Sequence, residues 1–291
     1  MARIAERLPE NVPGEFYVDR TCIDCGTCWQ LAPTVFAESD ADLSRVYHQP
    51  ADVAETLRAQ MALVSCPTGS IGTVGTMSAR AAINALPEPL AEDLYYCGYA
   101  SERSFGASSY LLRHPAGNVL IDSPRAAGPL MARIEALGGV RWMFLTHQDD
   151  VADHARFAER FGCERILHRA DARHVPGLER YVDGTAPIAL ADGLTIVPLP
   201  GHTRGSAGLV YRDRYLFSGD HLWWSRTRNA LGAGRRVCWY SWPEQVRSME
   251  RLLDYRFEWV LPGHGAQFHA ASADAMRAQV VELILWMRTV A

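Results

Sequence analysis

The sequence predicts a mixed α/β protein in two parts, a small cysteine-bearing domain followed by a larger layered α/β domain. Three observations carry this. From Leu94 onward short apolar runs alternate with amphipathic stretches, the pattern of strands and helices stacked in layers. Several of those runs end in a histidine or an aspartate. Ahead of them, residues 14–75 hold a cysteine triplet and a later Cys-Pro, and 79–93 carries two prolines and charge, as a linker would. The expected boundaries are therefore 1–78, 79–93 and 94–291.

Taken in order, a helix-like stretch runs from about Ala51 to Leu63. SSYLLRHPAGNVLIDS reads as two strands around a Pro-Ala-Gly-Asn turn. Leu130, Ile134 and Leu137 form a helical stripe. RWMFLT is a buried-strand run that delivers His147. HARFAERFG places Phe157, Ala158 and Phe161 on one face and stops at Gly162. ERILH is a further strand, LTIVPLPG delivers His202, and GLVYRDRYLFSGD is a hairpin about 212–214 that delivers Asp220. EWVLPG delivers His264.

Cys22, Cys25 and Cys28 lie at C-x2-C-x2-C spacing, and Cys66 precedes Pro67. Three thiolates from one tight loop and a fourth from a distant Cys-Pro are the ligand grammar of a cubane iron–sulfur cluster. A four-cysteine zinc site usually draws on two C-x2-C pairs, which this chain lacks. The expected group is [4Fe–4S], with [3Fe–4S] open because spacing does not fix the fourth corner. Cys97, Cys163 and Cys238 complete an odd total of seven, so no disulfide framework is expected. The segment resembles a single-cluster bacterial-type ferredoxin.

Imidazole and carboxylate together suit a divalent ion such as zinc, iron or manganese. The order of LTHQDDVADH, PGHTRGSAG, FSGD and PGHG resembles the metallo-β-lactamase superfamily over roughly residues 94 to 291. The resemblance implies an αββα sandwich with one or two metals at one edge between two sheets. It places His147, Asp149 and His202 on a first metal, and Asp153, His154 and His264 on a second. Asp220 would lie between them, with Asp153 and Asp220 the catalytic carboxylates. The first motif departs from the family's H-x-H-x-D-H, because Asp149 stands at the second histidine and the Asp-His pair falls two places late. Asp149 against Asp150 stays open. Were a helix to begin near Asp149, then Asp150, Asp153 and His154 would share a face.

The implied activity is metal-dependent hydrolysis of an ester, thioester, lactam or phosphoester by a metal-bound hydroxide. The alternatives are an iron-dependent oxidoreductase fed by the cluster, with oxygen, nitric oxide or persulfide as substrate, and a redox sensor. The stretch 221–242, rich in tryptophan and arginine with Gly232 and Gly234, is expected to be a mobile specificity loop for an anionic small molecule or a protein contact. A net charge of −4 argues against general nucleic-acid binding. No run approaches a membrane span and no secretory signal opens the chain, so a cytoplasmic protein, with a redox partner protein among its candidate contacts, is expected.

Overall fold

The computed structural model describes residues 2–39 and 42–290. Its contacts divide the chain into two compact units, Met1–Arg141 with Ala152–Cys163, and Trp142–Val151 with Glu164–Ala291.

In the first unit, strand Phe16–Val18 pairs antiparallel with Ile71–Thr73, so the two ends of the cysteine segment are zipped together. A hairpin of Phe36–Glu38 and Ser44–Val46 lies between them in sequence. Helix Val53–Ser65 starts where Asp52 accepts the Glu55 N–H, and it ends one residue before Cys66. Its last carbonyls are not left to water: Ala100 N–H donates to Ser65 O and the Arg125 guanidinium to Val64 O. The stretch 79–93, expected as a linker, instead carries helix Arg80–Ala85 and strand Glu88–Pro89, and Glu88 is ion-paired with Arg58. Strands Glu88–Pro89, Leu94–Tyr96, Tyr110–Leu112 and Val119–Ile121 then follow as an antiparallel meander. The last two are the hairpin expected around 113–118.

In the second unit, Trp142–Phe144, Glu164–His168 and Arg180–Val182 run parallel. A six-stranded sheet follows in the order Ile188–Ala191, Leu194–Pro198, Ala207–Tyr211, Tyr215–Gly219, Trp259–Pro262, Phe268–His269. Ala207–Tyr211 and Tyr215–Gly219 are buried at every position, which is why they read as continuous apolar runs rather than alternating ones. Helices Trp242–Arg251 and Ala273–Thr289 lay Val246, Met249, Met276, Val280 and Leu283 onto Val197, Val210, Leu216 and Val260. No helix among the described residues is long and apolar enough to cross a membrane.

Two neighbouring leucines of the last helix test this packing. Leu283 is buried and Leu285 is 56% exposed. Leu283→Ala is expected to cost about 2–5 kcal/mol and Leu285→Ala less than about 0.5 kcal/mol, read by urea unfolding. Equal losses would mean that the apolar face is misassigned.

Candidate functional site

The second unit collects histidines and carboxylates at strand ends. His147 follows strand Trp142–Phe144, His202 follows Leu194–Pro198, Asp220 follows Tyr215–Gly219, and His264 follows Trp259–Pro262. Asp220 is the hub. Its Oδ2 lies 2.9 Å from His264 Nδ1, 3.6 Å from His202 Nε2 and 3.8 Å from His147 Nε2. The His264 backbone N–H also donates to its Oδ1 at 3.1 Å. Asp149 Oδ2 approaches the same imidazoles, 3.7 Å from His147 and 3.8 Å from His202. His147 and His202 meet edge-on, with ring centroids 4.7 Å apart.

The donor set fits a divalent cation. Ligand atoms of His147, Asp149 and His202 lie within 4.8 Å of one another, and so do those of His147, Asp150 and Asp220. His147 Nε2 and both ring nitrogens of His202 are buried, with no hydrogen-bond partner among the described residues. Polar atoms left so are costly without an ion or water to meet them. Burial would raise the Asp220 carboxyl, but His264, then His147 and His202, hold it well below the usual carboxylate range. Burial pushes His147 down to about 3, despite the opposing pull of Asp220, so it is a neutral imidazole ready to donate a lone pair. Gly263 makes room for the carboxylates. A Cβ there would lie 2.6 Å from Asp150 Oδ2 and 2.7 Å from Asp220 Oδ1.

The structure brings both Asp149 and Asp150 to the cluster of histidines, the first half-exposed and the second buried. Asp153 and His154 fall in the first unit. The helix expected over HARFAERFG begins at His154 and none starts near Asp149, where the chain instead turns and Ala152 takes a positive φ of 22°. Asp150, Asp153 and His154 therefore do not share a helical face. The Asp153 carboxylate is engaged elsewhere: it accepts the Ala126 N–H at 2.8 Å and pairs with Arg103 at 3.3 Å.

Asp171 escaped the sequence reading. It is buried and accepts the Gln148 N–H at 3.1 Å, the Thr203 hydroxyl at 2.7 Å and the Gly205 N–H at 2.7 Å. It thus ties the loop carrying His147 to the loop carrying His202. The segment 221–242 contains regular structure close to Asp220. Trp223–Ser225 and Ala230–Gly232 form a hairpin, and Leu231 is buried. His221 is buried with both ring nitrogens lacking a hydrogen bond among the described residues, and burial, then His202, pushes it down to about 3.

In the first unit, Cys22, Cys25, Cys28 and Cys66 line one pocket with Val18, Pro67 and Ile71. Donors aim at the sulfurs: Asp24 and Ser44 N–H reach Cys22 Sγ at 3.4 Å, and Ser70 N–H reaches Cys66 Sγ at 3.3 Å. Burial pushes the Cys25 thiol up to about 11 and Cys28 well above its ordinary value. Such thiols ionise only beside concentrated positive charge, which iron supplies. All four corners are present, so the cavity fits a complete cubane.

Residues 18–73 match the family described as the 4Fe-4S single cluster domain of Ferredoxin I. The chain is 30% identical over 131 residues to a hydroxyacylglutathione hydrolase of Acidiphilium cryptum, covering 44% of this chain and 51% of that protein. It is 34% identical over 142 residues to the hydroxyacylglutathione hydrolase of Anaeromyxobacter dehalogenans, covering 45% and 53%. It thus spans about half the length of these curated relatives. Among solved structures, DIM-1 metallo-β-lactamase aligns at a TM-score of 0.52 and 17% identity, over 67% of this chain and 96% of that one. BLEG-1 B3 metallo-β-lactamase aligns at 0.52 and 16%, over 67% and 99%. At such identity the likeness speaks for fold. The chain joins a single-cluster [4Fe–4S] ferredoxin domain to a domain of metallo-β-lactamase fold.

Proposed function

We propose that this protein is a metal-dependent hydrolase of an acyl thioester whose thiol part is anionic, of the hydroxyacylglutathione type. The observation that carries the reading is Asp220, a nearly buried carboxylate facing three histidines. His147, Asp149 and His202 would hold one divalent ion, zinc or iron, and Asp150 and His264 would serve a second, with Asp220 between them. A bound ion of this kind supplies a water of lowered pKa and polarises the scissile carbonyl. The chain then need provide no nucleophile of its own. Its part is to keep His147 neutral, Asp220 ionised and the ligand loops fixed through Asp171.

Substrate choice is assigned to the rim beside His202. The Trp239 and Tyr240 N–H groups both donate to His202 O, at 2.8 and 3.0 Å, which seats the two aromatic residues next to the site. Trp239 is 66% exposed, with its ring 6.3 Å from the His202 imidazole. The Arg204 guanidinium lies 5.9 Å over the Tyr240 ring. Exposed aromatic surface beside a guanidinium favours an organic anion, and the carboxylates of a peptide thiol answer that description.

One observation favours a second reading. His147, Asp149 and His202 form a two-histidine, one-carboxylate set, which also suits non-haem iron. An iron-dependent oxidoreductase drawing electrons from the cluster, acting on oxygen, nitric oxide or a persulfide, is the alternative; a redox sensor is the non-catalytic one.

Asp220→Ala and His264→Ala are expected to lose divalent metal and to cut thioester turnover by more than about 100-fold, the upper range for changes only once removed from a metal. The brown colour of the cluster should persist in both. Retention of full metal and turnover by Asp220→Ala would sink the hub assignment. Trp239→Ala is expected to raise KM for S-lactoylglutathione about 10-fold with kcat little changed. Arg204→Met should act on that substrate and spare neutral p-nitrophenyl acetate; equal effects on both would remove the rim from substrate choice.

A further inference from the structure

The [4Fe–4S] cysteines are packed against a loop from outside the ferredoxin segment. Gly106 has φ +85° and sits against Cys25; a Cβ there would run into the Cys25 side chain, 2.7 Å from its sulfur. Only glycine satisfies both the close approach and that backbone conformation. Between them stands Thr27, buried, which accepts from Cys25 Sγ at 3.3 Å and donates to Gly106 O at 3.2 Å. The loop Ser101–Ala107 is closed on itself by Gly106 N–H to Ser101 O, 2.8 Å, and Ala107 N–H to Ser104 O, 2.9 Å. Its outer side grips another segment. Ser104 Oγ accepts the Ala152 N–H at 3.1 Å, and Arg103 pairs with Asp153 at 3.3 Å. Ala152 and Asp153 come after Asp149 and Asp150 in the chain, with only Val151 between the pairs.

We propose that Thr27 is a redox-responsive positioning residue that links the charge on Cys25 to the hold of the loop Ser101–Ala107. A hydroxyl carries one proton. While Cys25 is a thiol it donates to Thr27, and the Thr27 proton is available to Gly106 O. Once Cys25 is a thiolate ligand it can only accept, and the single Thr27 proton has two claimants, Cys25 Sγ and Gly106 O. One electron from a low-potential donor, dithionite in the test below, takes the cluster from its 2+ to its 1+ state and adds negative charge at the sulfurs. That charge strengthens the hydrogen bond to sulfur and draws the Thr27 proton off the carbonyl. Gly106 O loses its partner, and the loop's grip on Ala152 and Asp153 loosens. No covalent bond of the chain changes. The inference rests on the cluster alone and stands or falls independently of the hydrolase reading.

The test uses cluster-loaded, full-length protein under anaerobic conditions. Hydrogen exchange is compared in the oxidised and dithionite-reduced states, and the midpoint potential is read by EPR-monitored titration. Reduction is expected to speed exchange of peptides spanning 101–107 and 150–156 at least about 3-fold. Thr27→Val should shift the potential to more negative values, because the reduced state loses a hydrogen bond, and should abolish the reduction-linked exchange. Thr27→Ser should preserve both. Identical exchange in the two states of the unaltered protein overturns the proposal, and so does a Thr27→Val variant with unaltered potential and unaltered exchange response. If Thr27→Val fails to retain its cluster, the unaltered protein and Thr27→Ser still decide.

Discussion

A carboxylate taken out of water among three imidazoles is the interaction on which the second unit turns. Asp220 is 12% exposed at its side chain and touches His147, His202 and His264. A buried anion is expensive unless it meets fixed donors or a cation. Here the histidines come from three different strand ends, so satisfying Asp220 means bringing those ends together. The six-stranded sheet supplies three of the four strand ends, and Asp171 clamps two of the loops. Gly263 leaves the space in which two carboxylates approach one another. Carboxylates so placed repel unless positive charge lies between them, which is the physical case for a divalent ion.

The cysteine cavity obeys the same logic with softer ligands. Four cysteine sulfurs line one space, burial pushes the Cys25 and Cys28 thiols up, and backbone N–H groups turn toward Cys22 and Cys66. Where ligands are gathered and buried in this way, binding of a cation adds to folding stability. The two centres differ in what surrounds them. Exposed Trp239 and Tyr240 follow the His202 segment, whereas Cys25 is covered by the loop at Gly106.

Much of this was legible in the sequence. Apolar runs ending in His147, His202, Asp220 and His264 mark strand ends, and strands deliver their final residues to one edge of a sheet. The cysteine spacing carries its own geometry. What stayed obscure has physical reasons. The register of Asp149, Asp150, Asp153 and His154 depends on whether the chain turns or coils after His147, and a positive φ at Ala152 is a choice that alanine does not advertise. Asp171 could not be found by motif, because its partners Gln148 and Gly205 lie 23 and 34 residues away and are reached through backbone N–H groups. The prolines and charges of 79–93 looked like a linker, yet Arg58 and strand Leu94–Tyr96 recruit the segment into structure. The hairpin of Trp223–Ser225 and Ala230–Gly232, with Leu231 buried, was hidden by the glycines at 232 and 234, which read as loop.

The proposed function requires that one chain carry both an iron–sulfur cluster and a hydrolytic metal site. Metal and acid-labile sulfide analysis of anaerobically purified protein, with EPR before and after reduction, tests it most directly. About four iron and four sulfide per chain are expected, together with one or two further divalent ions. About four iron and four sulfide with no further divalent ion would contradict it, and about five or six iron with no zinc would bring forward the iron-dependent redox alternative.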